Sequence, residues 1–372
     1  MSFAINELLT PINLSKAYTK LASIGQKCPL LDFYSSPNPE QGEDFVELVR
    51  WSDSRVAAPI NKRGSAARTL QTQGGQGVVM TPIHVFNEFV IPQNALDFLR
   101  VDDNPALQDR GMQEVRRQME IFTRRHKINR AVSLAKLLGD GIAYFDANGY
   151  ILESSSGAAT TVDLSVGATH KSQLAHAANG GSDIIGASWA TASTSILTDL
   201  EQIRTAAEYD MVPTPKHVWL HGENKGWIVN NTEIKAFVQY NNPGADNYLR
   251  FLAGQGDTLS IGDWTFHFYS GTYVGADEST VRPVISKTKA IITPDPMDGG
   301  WFAHYECAET IPTGEGVIGS LDEYFANTQK IYGDFTYAKV LDNPLKVVCR
   351  MGMNYLYAFR DPNAIFIPTV SF

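Results

Sequence analysis

The sequence predicts a mixed α+β fold with more than one packed unit. Apolar, alternating segments flank a glycine-rich basic stretch at residues 61–79, a long helical pattern covers residues 105–138, and helices alternate with strands from residue 196 onward. The chain has 372 residues, whereas a single core usually stops growing at about 250 to 300 residues. We therefore expect two or three cores.

The composition excludes several classes of protein. A formal net charge of -9 argues against a general nucleic-acid binder, which needs clustered cations. No apolar run approaches the roughly 18 residues that cross a bilayer, and Glu7 lies in a start without a basic region. We expect a soluble protein that is not exported and has no membrane partner. The widely spaced Cys28, Cys307 and Cys349 predict buried thiols.

The first hundred residues predict an arm followed by a hairpin. Residues 1–40 combine a short amphipathic piece with turn-forming residues, which is typical of an arm lying on another surface. Alternation predicts one strand at residues 44–51 and its return partner at residues 78–91. A hairpin of two strands is marginal in water and exposes its edges. Something outside this hairpin must therefore cover it.

A long helix is predicted next, over residues 105–138. Asn104 and Pro105 suit its first positions, and Gly139 with Gly141 ends it. One helix of that length would extend about 50 Å. Helical spacing predicts one apolar stripe, which consists of Ile121, Ile128, Val132 and Ala135.

The rest of this helix surface is basic. Residues 110–136 contain eight Lys or Arg and two Glu, in a chain that is acidic as a whole. Three interpretations stay open: a solvated face with pairs such as Glu120 and Arg124, cationic contacts to acidic neighbouring chains, or direct DNA contact.

The second half of the chain predicts a layered α/β unit and a strand-rich end. A hairpin around Asn148–Gly149 comes first, and residues 153–195 are small and polar, which predicts loops or a mobile excursion. Helices are then predicted from residue 196 and at 232–240, with strands at 216–221, 264–271 and 284–294. The end predicts three strands that turn at Gly352 and at Asp361–Asn363 and return to an earlier sheet.

Candidate motifs for chemistry are weak. Gly314, Gly316 and Gly319 spell GxGxxG, but Pro312 intervenes where a dinucleotide site needs a strand that runs into the first glycine. A glycine-rich connector is the favoured interpretation, and a nucleotide-dependent enzyme with the hairpin as its lid is a minor alternative.

Candidate metal ligands are also weak. His217 and His221 lie in a strand-like context, where residues four apart are about 13 Å from each other and cannot share a metal ion. Asp295 and Asp298 are typical of a turn. We therefore expect no enzyme activity, no cofactor and no metal, and a protein whose function lies in its contacts.

The order of these elements resembles the major capsid proteins of tailed bacteriophages, most closely the lambda-type major head protein family. The likeness covers nearly the whole chain in order. It rests on the arm, on the hairpin with Arg63-Gly64-Ser65 at its tip and on the arginine-rich helix. The motifs that carry it are TPIHVFNEFVIPQ, VDDNP, YSGTYV, YGDFTYAKVLDNPLKVV and FRDPNAIFIPTVSF.

The resemblance implies the tailed-phage major capsid fold of the Hong Kong ninety-seven type. Its expected parts are an N-terminal arm at 1–40, an E-loop at 41–98, a P-domain with the spine helix at 99–195, an A-domain at 196–325, and C-terminal strands at 326–372 that return to the P-domain.

The resemblance also implies the function and the partners. The chain would self-assemble through hexamers and pentamers into an icosahedral shell around double-stranded DNA, with its E-loop over a neighbouring subunit. A portal and a separate scaffolding protein are implied, a decoration protein is a family-level possibility, and the packaged DNA would be contacted non-specifically. The chain would belong to the virion and assemble in the host cytoplasm.

Residues expected at subunit interfaces come from the hairpin tip and the long helix. They are Arg63, Gly64, Arg68, Gly74, Gly75, Arg116, Arg117, Arg124 and Arg125. Lys62 is available for the lysine–asparagine cross-link of some relatives, although the family that the chain resembles most does not form it. An encapsulin-like nanocompartment shell is the alternative that keeps the same fold.

Overall fold

The structure, a computed structural model, describes residues 28–35, 39–43, 46–51, 75–80, 82–91, 105–147, 149–240, 257–275, 279–312, 328–342 and 345–372. In this part of the chain, the two largest sheets have five and four strands. The five-stranded sheet has the order β1 (Glu40–Gly42), β15 (Phe302–Pro312), β16 (Thr328–Asp342), β17 (Leu345–Phe359), β4 (Ile83–Val90). The four-stranded sheet has the order β10 (Thr258–Ile261), β11 (Trp264–Tyr269), β9 (His217–His221), β14 (Ile291–Thr293). One buried core cluster continues from the first sheet to the second. The layered organisation predicted for the second half is therefore present.

The predicted hairpin exists, but its return leg is divided. Strand β2 (Val46–Trp51) pairs antiparallel with β3 (Gly75–Met80). The sequence then forms a separate strand, β4 (Ile83–Val90), which pairs with β17 instead. Pro82 lies between β3 and β4 and cannot donate to a strand ladder, which explains the division. The return leg thus belongs half to the hairpin and half to the main sheet.

Strands from both ends of the chain build the five-stranded sheet. Strand β1 (Glu40–Gly42) is parallel to β15 (Phe302–Pro312), and β16 (Thr328–Asp342) and β17 (Leu345–Phe359) are antiparallel to their neighbours. The prediction that the last strands return to an earlier sheet is confirmed, because β17 pairs with β4.

Gly352 does not form the predicted turn. It lies in the middle of β17, opposite Phe335 in β16 and Phe86 in β4. A Cβ atom at this position would be 2.3 Å from Cζ of Phe335 and 2.8 Å from the carbonyl oxygen of Val85. The glycine therefore permits a ring to lie flat over the sheet, which is the other common reason for glycine in a strand.

The long helix α2 spans Pro105–Asp140, close to its predicted bounds. It covers one face of the five-stranded sheet: the rings of Phe122 and Phe89 stack with centroids 5.2 Å apart, and Nδ2 of Asn87 lies 3.1 Å from Nε2 of His126. Toward the C-terminal half of the helix, a hydrogen bond from the Tyr355 hydroxyl in β17 to Oδ1 of Asn129 (3.1 Å) holds the helix on the sheet.

The predicted apolar stripe of α2 is correct only in its C-terminal half. Val132 and Ala135 are buried and Ile128 is half-buried, but Ile121 is 38% exposed. Around Ile121 the buried positions are Val115 and Met119, which lie on a different face of the helix. The stripe is therefore wrong for Ile121, because the helix contacts the body through another face there.

A small sheet and an irregular segment follow α2. Strand β5 (Ile142–Phe145) pairs with β6 (Ile151–Leu152) and β7 (Thr160–Asp163), and Gly149 in the intervening turn has φ +81. The predicted hairpin is confirmed, although Asn148 lies outside the described residues.

Residues 153–195 form loops, as predicted, but not an excursion. Strand β8 (Lys171–Ser172) in this segment pairs in parallel with β18 (Ile367–Pro368) near the end of the chain. Large apolar side chains of the segment are buried, among them Leu164, Leu174, Ile184, Ile185 and Trp189. The sequence did not predict this packing, because the segment contains few core-forming residues.

The second unit combines helices and short strands. Its helices are α3 (Ile196–Asp210), α4 (Lys225–Asn230) and α5 (Thr232–Tyr240). Its strands are β9 (His217–His221), β10 (Thr258–Ile261), β11 (Trp264–Tyr269), β12 (Thr272–Val274), β13 (Val281–Pro283) and β14 (Ile291–Thr293). The strand predicted at 284–294 is shorter than expected, because the polar residues before β14 form a loop.

Helix α1 (Pro29–Tyr34) lies within the predicted arm but belongs to the body. Leu30, Leu31 and Tyr34 are buried, and the ring of Phe33 lies with its centroid 4.6 Å from His217 in β9. The ring of Tyr34 also lies 5.4 Å from Phe302 in β15. Helix α1 therefore fills the junction between the two main sheets.

The three cysteines are buried and free, as predicted. Burial raises the pKa of Cys307 and of Cys349 to about 12. Both side chains are therefore neutral thiols with little nucleophilic character at neutral pH. None of the helices that the structure describes is both long and apolar enough to cross a membrane.

Candidate assembly surface

The predicted cationic face of α2 is exposed. Arg116, Arg117, Arg124 and Arg125 all point away from the body. Nη1 of Arg117 lies 3.7 Å from Oε2 of Glu114, and the guanidinium of Arg125 lies 5.7 Å from the centroid of the Phe122 ring. Such an exposed ion pair contributes about 0 to 1 kcal/mol at most. The face therefore keeps its positive charge available for a partner.

The interpretation of this face as a solvated surface with ion pairs such as Glu120–Arg124 is weakened. Glu120 and Arg124 are both described, and no ion pair within 4.0 Å joins them, whereas Arg117 does pair with Glu114. Ile121 lies between the arginines, one helical turn from Arg117 and from Arg125. An apolar residue surrounded by arginines is typical of protein interfaces, where Arg is enriched and Lys is depleted.

The structure does not bring all predicted interface residues together. Arg117, Arg124 and Arg125 lie on one side of α2, and Arg116 lies farther round the helix. Gly75 is the first residue of β3, opposite Trp51. The other predicted hairpin residues, Arg63, Gly64, Arg68 and Gly74, lie outside the described residues. Their interface role stays a prediction.

An aromatic surface on the five-stranded sheet was missed in the sequence. Phe86 is 43% exposed, and its ring stacks near Phe335 and Tyr337 with centroids 6.0 and 6.4 Å away. The guanidinium of Arg350 lies 5.7 Å from the Phe86 ring centroid, and its Nε donates to Oε2 of Glu88 at 3.1 Å. Because side chains alternate in a strand, β4 places Phe86 and Glu88 on one face. The sequence pattern could therefore have indicated that these two residues share a surface.

Buried charges between α2 and the sheet have a structural role. Arg130 of α2 extends toward the sheet, with Nη2 at 3.0 Å from Nε2 of His304 and Nη1 at 3.9 Å from Oδ1 of Asp334. Burial, and then the charge of Arg130, lowers the pKa of His304 to about 3. Burial raises the pKa of Asp334. His304 is therefore a neutral acceptor for the guanidinium.

A cavity of about 200 Å³ opens beside Arg130. Its lining includes Thr123 and Asp32, but the Thr123 hydroxyl donates to the carbonyl oxygen of Met119 at 2.8 Å. That hydroxyl is therefore occupied by the helix backbone. The cavity presents charges of both signs, from Asp32 and Asp334 and from Lys127 and Arg130.

The strand and the turn predicted around the weak metal candidates are both present. His217 and His221 lie on strand β9, and the nearest imidazole to Nδ1 of His217 is that of His267, with Nε2 at 3.0 Å. Asp295 accepts a hydrogen bond from the backbone N of Asp298 at 3.0 Å, which confirms the turn. The three glycines of the GxGxxG motif lie outside the described residues.

One further cluster has the spacing of a metal site. His170, His176 and Asp210 each offer a ligand atom within 4.8 Å of the others. However, the backbone N of Ala178 donates to Nδ1 of His176 at 3.1 Å. The ring proton is therefore on Nε2, where a metal ion would need a lone pair. The cluster is a hydrogen-bonded set rather than a set of ligands.

Comparison with known proteins gives a family and a fold. The family model "Phage major capsid protein E" matches residues 26–370. A solved structure from Escherichia coli, assigned as the capsid protein of a prophage, is 11% identical, covers 98% of this chain and 99% of its own, and has a TM-score of 0.57. A phage-related protein from Bordetella bronchiseptica is 11% identical over 96% of this chain and 97% of its own, with a TM-score of 0.49. The comparison with curated proteins gave no match.

Proposed function

The chain belongs to the phage major capsid protein E family, and from that premise we propose that its copies overlap through the β2–β3 hairpin and the cationic face of α2. The protein is a structural major capsid subunit with the tailed-phage capsid fold, and its place is the virion. Its copies form a homo-oligomeric shell. The proposal concerns which surfaces hold that shell together.

One observation carries the proposal. In the described part of the chain, β2 and β3 pair only with each other, in a two-stranded sheet. Two strands without a third partner or a covering helix are marginal in water. Val46 and Met80, at the base of the hairpin, belong to the buried core of the subunit. A neighbouring copy would cover the hairpin beyond this pair, and the glycine-rich tip at residues 61–74 would follow a curved partner surface.

The cationic face of α2 supplies the second contact. Three exposed arginines around Ile121, with exposed Arg116 farther round the helix, suit an acidic surface of another copy, in a chain with a net charge of -9. DNA is the second candidate partner for this face, because packaged DNA is contacted through its phosphates without sequence preference. The effect of salt on the assembly of empty shells distinguishes a contact with another copy from a contact with DNA. Because empty shells contain no DNA, a salt dependence there reports contacts between copies.

The finer partners are part of the same proposal. A portal and a separate scaffolding protein assist assembly in the host cytoplasm, with hexamers and pentamers as intermediates and a decoration protein as an optional addition. The expected domain boundaries, with an E-loop at 41–98 and an A-domain at 196–325, belong to the proposal as well. A nanocompartment shell is not favoured by the family match, and particles that contain protein cargo instead of DNA would point to it.

Deletion of residues 61–74 tests the hairpin contact. The deletion leaves the described residues of β2 and β3 in place, so we expect a folded subunit that no longer closes into shells. Electron microscopy of the particles and circular dichroism of the subunit measure the two outcomes separately. Normal shells from the deletion variant would refute the role of the hairpin tip, and a matched replacement of residues 61–74 by a Gly/Ser linker of equal length controls for the spacing of the strands.

A further inference from the structure

Three side chains fasten the irregular segment after β7 to helix α3. His170 ends a 3-10 turn, Ala168–His170, and His176 precedes a second turn, Ala177–Asn179. Their Nε2 atoms lie 2.9 and 2.8 Å from the same oxygen, Oδ2 of Asp210, the last residue of α3. Two rings from the segment thus bind one carboxylate from the helix.

A backbone hydrogen bond fixes the tautomer of His176. Nδ1 of His176 accepts from the backbone N of Ala178 at 3.1 Å, so this nitrogen carries no proton. The ring proton is on Nε2 and is donated to Asp210. A second proton on His176 would have to bind at Nδ1 and would oppose the Ala178 amide, which would lose its acceptor. The Ala178 amide therefore keeps its acceptor only beside the neutral ring of His176.

The packing around His170 disfavours a positive charge on its ring. The His170 ring is 2% exposed, and it stacks on Phe366 with centroids 4.4 Å apart. Burial lowers the pKa of His170, against the opposite effects of Asp210 and of the Ile365 backbone. The centroids of the His170 and His176 rings are only 5.4 Å apart, so two charged rings would also repel each other.

The groups that face the cluster come from three parts of the chain. Helix α3 contributes the Asp210 carboxylate and Tyr209, whose ring lies edge-on to His176 at 5.7 Å. The C-terminal segment contributes the Ile365 backbone and the apolar ring of Phe366. The two imidazoles lower the pKa of Asp210 although burial opposes them, so the carboxylate stays ionised as the acceptor.

We propose that His170, His176 and Asp210 form a proton-sensitive clamp, which holds residues 168–185 against α3 while both rings are neutral and releases them when a ring takes up a proton. The released segment includes β8 and the buried side chain of Leu174. Opening therefore also loosens the pairing of β8 with β18 near the C-terminus. This goes beyond the assembly role, because it assigns a device to the segment that the proposed contacts do not use.

Hydrogen exchange of the full-length protein tests the clamp. Amide exchange of residues 168–185 is followed by mass spectrometry at about pH 7.5 and about pH 5.5, on either side of the ordinary imidazole pKa, and is corrected for the intrinsic pH dependence of exchange. We expect the corrected exchange to rise by about tenfold or more in this segment at the lower pH, and by more than in β16, which contains no histidine. Equal protection at both pH values would overturn the proposal.

Two variants separate proton release from simple loss of packing. The double variant His170→Gln/His176→Gln keeps amide donors that do not titrate, so we expect its pH response to disappear. Asp210→Asn removes the shared charge, so we expect fast exchange already at the higher pH. Glu208→Gln, at an exposed position of the same helix, is the matched control and should behave as wild type.

The outcomes against the clamp are distinct. A double glutamine variant with the full acid response would place the titrating group elsewhere. Protection of the segment by added Zn²⁺ at both pH values would replace the clamp with a metal site. If a variant fails to fold, the comparison of the wild-type protein at the two pH values still decides the proposal.

Discussion

The hydroxyl oxygens of Tyr34 in α1 and Thr293 in β14 lie 2.6 Å apart in a fully buried hydrogen bond. It joins a residue from the predicted arm to a strand of the four-stranded sheet, 259 positions later in the chain. Burial raises the pKa of Tyr34, so its hydroxyl stays protonated at all ordinary pH values. Helix α1 is therefore fixed to the body by a specific bond as well as by its apolar side chains.

Tyr34→Phe is expected to destabilise the subunit without changing its fold. The variant keeps the ring but leaves the Thr293 hydroxyl buried without its partner, which costs about 1 to 3 kcal/mol. Urea denaturation measures the difference in the free energy of unfolding. Tyr150→Phe, at a position that is 48% exposed, is the control and should have no measurable effect. Equal stability of the two variants would contradict the importance of the bond.

Gly352→Ala is expected to be more harmful than a glycine substitution in an open site. The new methyl group would meet the Phe335 ring at 2.3 Å and the Val85 carbonyl at 2.8 Å, and the carbonyl belongs to the paired strand β4 and cannot move freely. Overpacking of this kind typically costs about 1 to 3 kcal/mol. Thermal or chemical denaturation checks the loss.

Gly226→Ala is the matched control for that substitution. Nothing lies within 4 Å of a Cβ atom at Gly226, which is in helix α4. Alanine favours a helix by about 1 kcal/mol over glycine, so this variant should be as stable as wild type or more stable. A Gly352→Ala variant that matches it would show that β4 and β17 can separate at no cost.

Mild acid is expected to destabilise the subunit through buried histidines. Burial lowers the pKa of His126 to about 4 and of His267 and His304 to about 3. These values lie below the unfolded value near 6.5, so the unfolded chain binds protons first. The stability that neutral rings provide is complete above about pH 6.5 and decreases as the pH falls toward about 4, by up to about 1.4 kcal/mol per pH unit for each histidine.

His267→Phe tests this pH dependence at one site. The phenyl ring keeps the stack on Trp219, where the ring centroids are 4.2 Å apart, but it cannot titrate. We expect the slope of unfolding free energy against pH to decrease by about one proton between pH 6.5 and about 4. Ser260→Ala, in the neighbouring strand β10 and without a titratable group, is the control and should leave the slope unchanged. An unchanged slope in His267→Phe would contradict the assignment.

Charge reversal on α2 is expected to impair assembly rather than folding. Arg124→Glu combined with Arg125→Glu places acidic groups beside Ile121 on a surface that we propose to contact an acidic neighbour, and like charges across an interface oppose association. We expect slower assembly and fewer closed shells by light scattering and electron microscopy, with an unchanged melting temperature. Lys235→Glu, on an exposed position of α5, is the control. Normal assembly of the arginine variant would remove this face from the interface.

Long periodic elements could be predicted from the sequence, because local pattern and burial agree there. Helix α2, helix α3 and strand β9 follow their predicted positions closely. Gly352 shows where the pattern is ambiguous, since glycine in a strand marks either a turn or a close approach, and only the position of Phe335 distinguishes them.

Contacts between distant segments could not be predicted. The aromatic surface needs Phe86 and Tyr337 to meet across β17, and the clamp needs Asp210 to meet His170 and His176, which are 40 and 34 positions away. The small polar residues around the two histidines indicated a loop and gave no sign of what the loop binds. Ile121 followed the helical period, yet its exposure depends on which face of α2 the body covers.

The division of the return leg between β3 and β4 has a mechanical consequence. A pull on the hairpin is transmitted through β4 along its own axis into its register with β17, which runs from Ile83 opposite Tyr355 to Val90 opposite Val348. Such a pull loads all these hydrogen bonds in shear at once, instead of opening them one after another like a zipper. Tension between neighbouring subunits of the shell would thus act along the strands, which is the direction in which the sheet is stiffest.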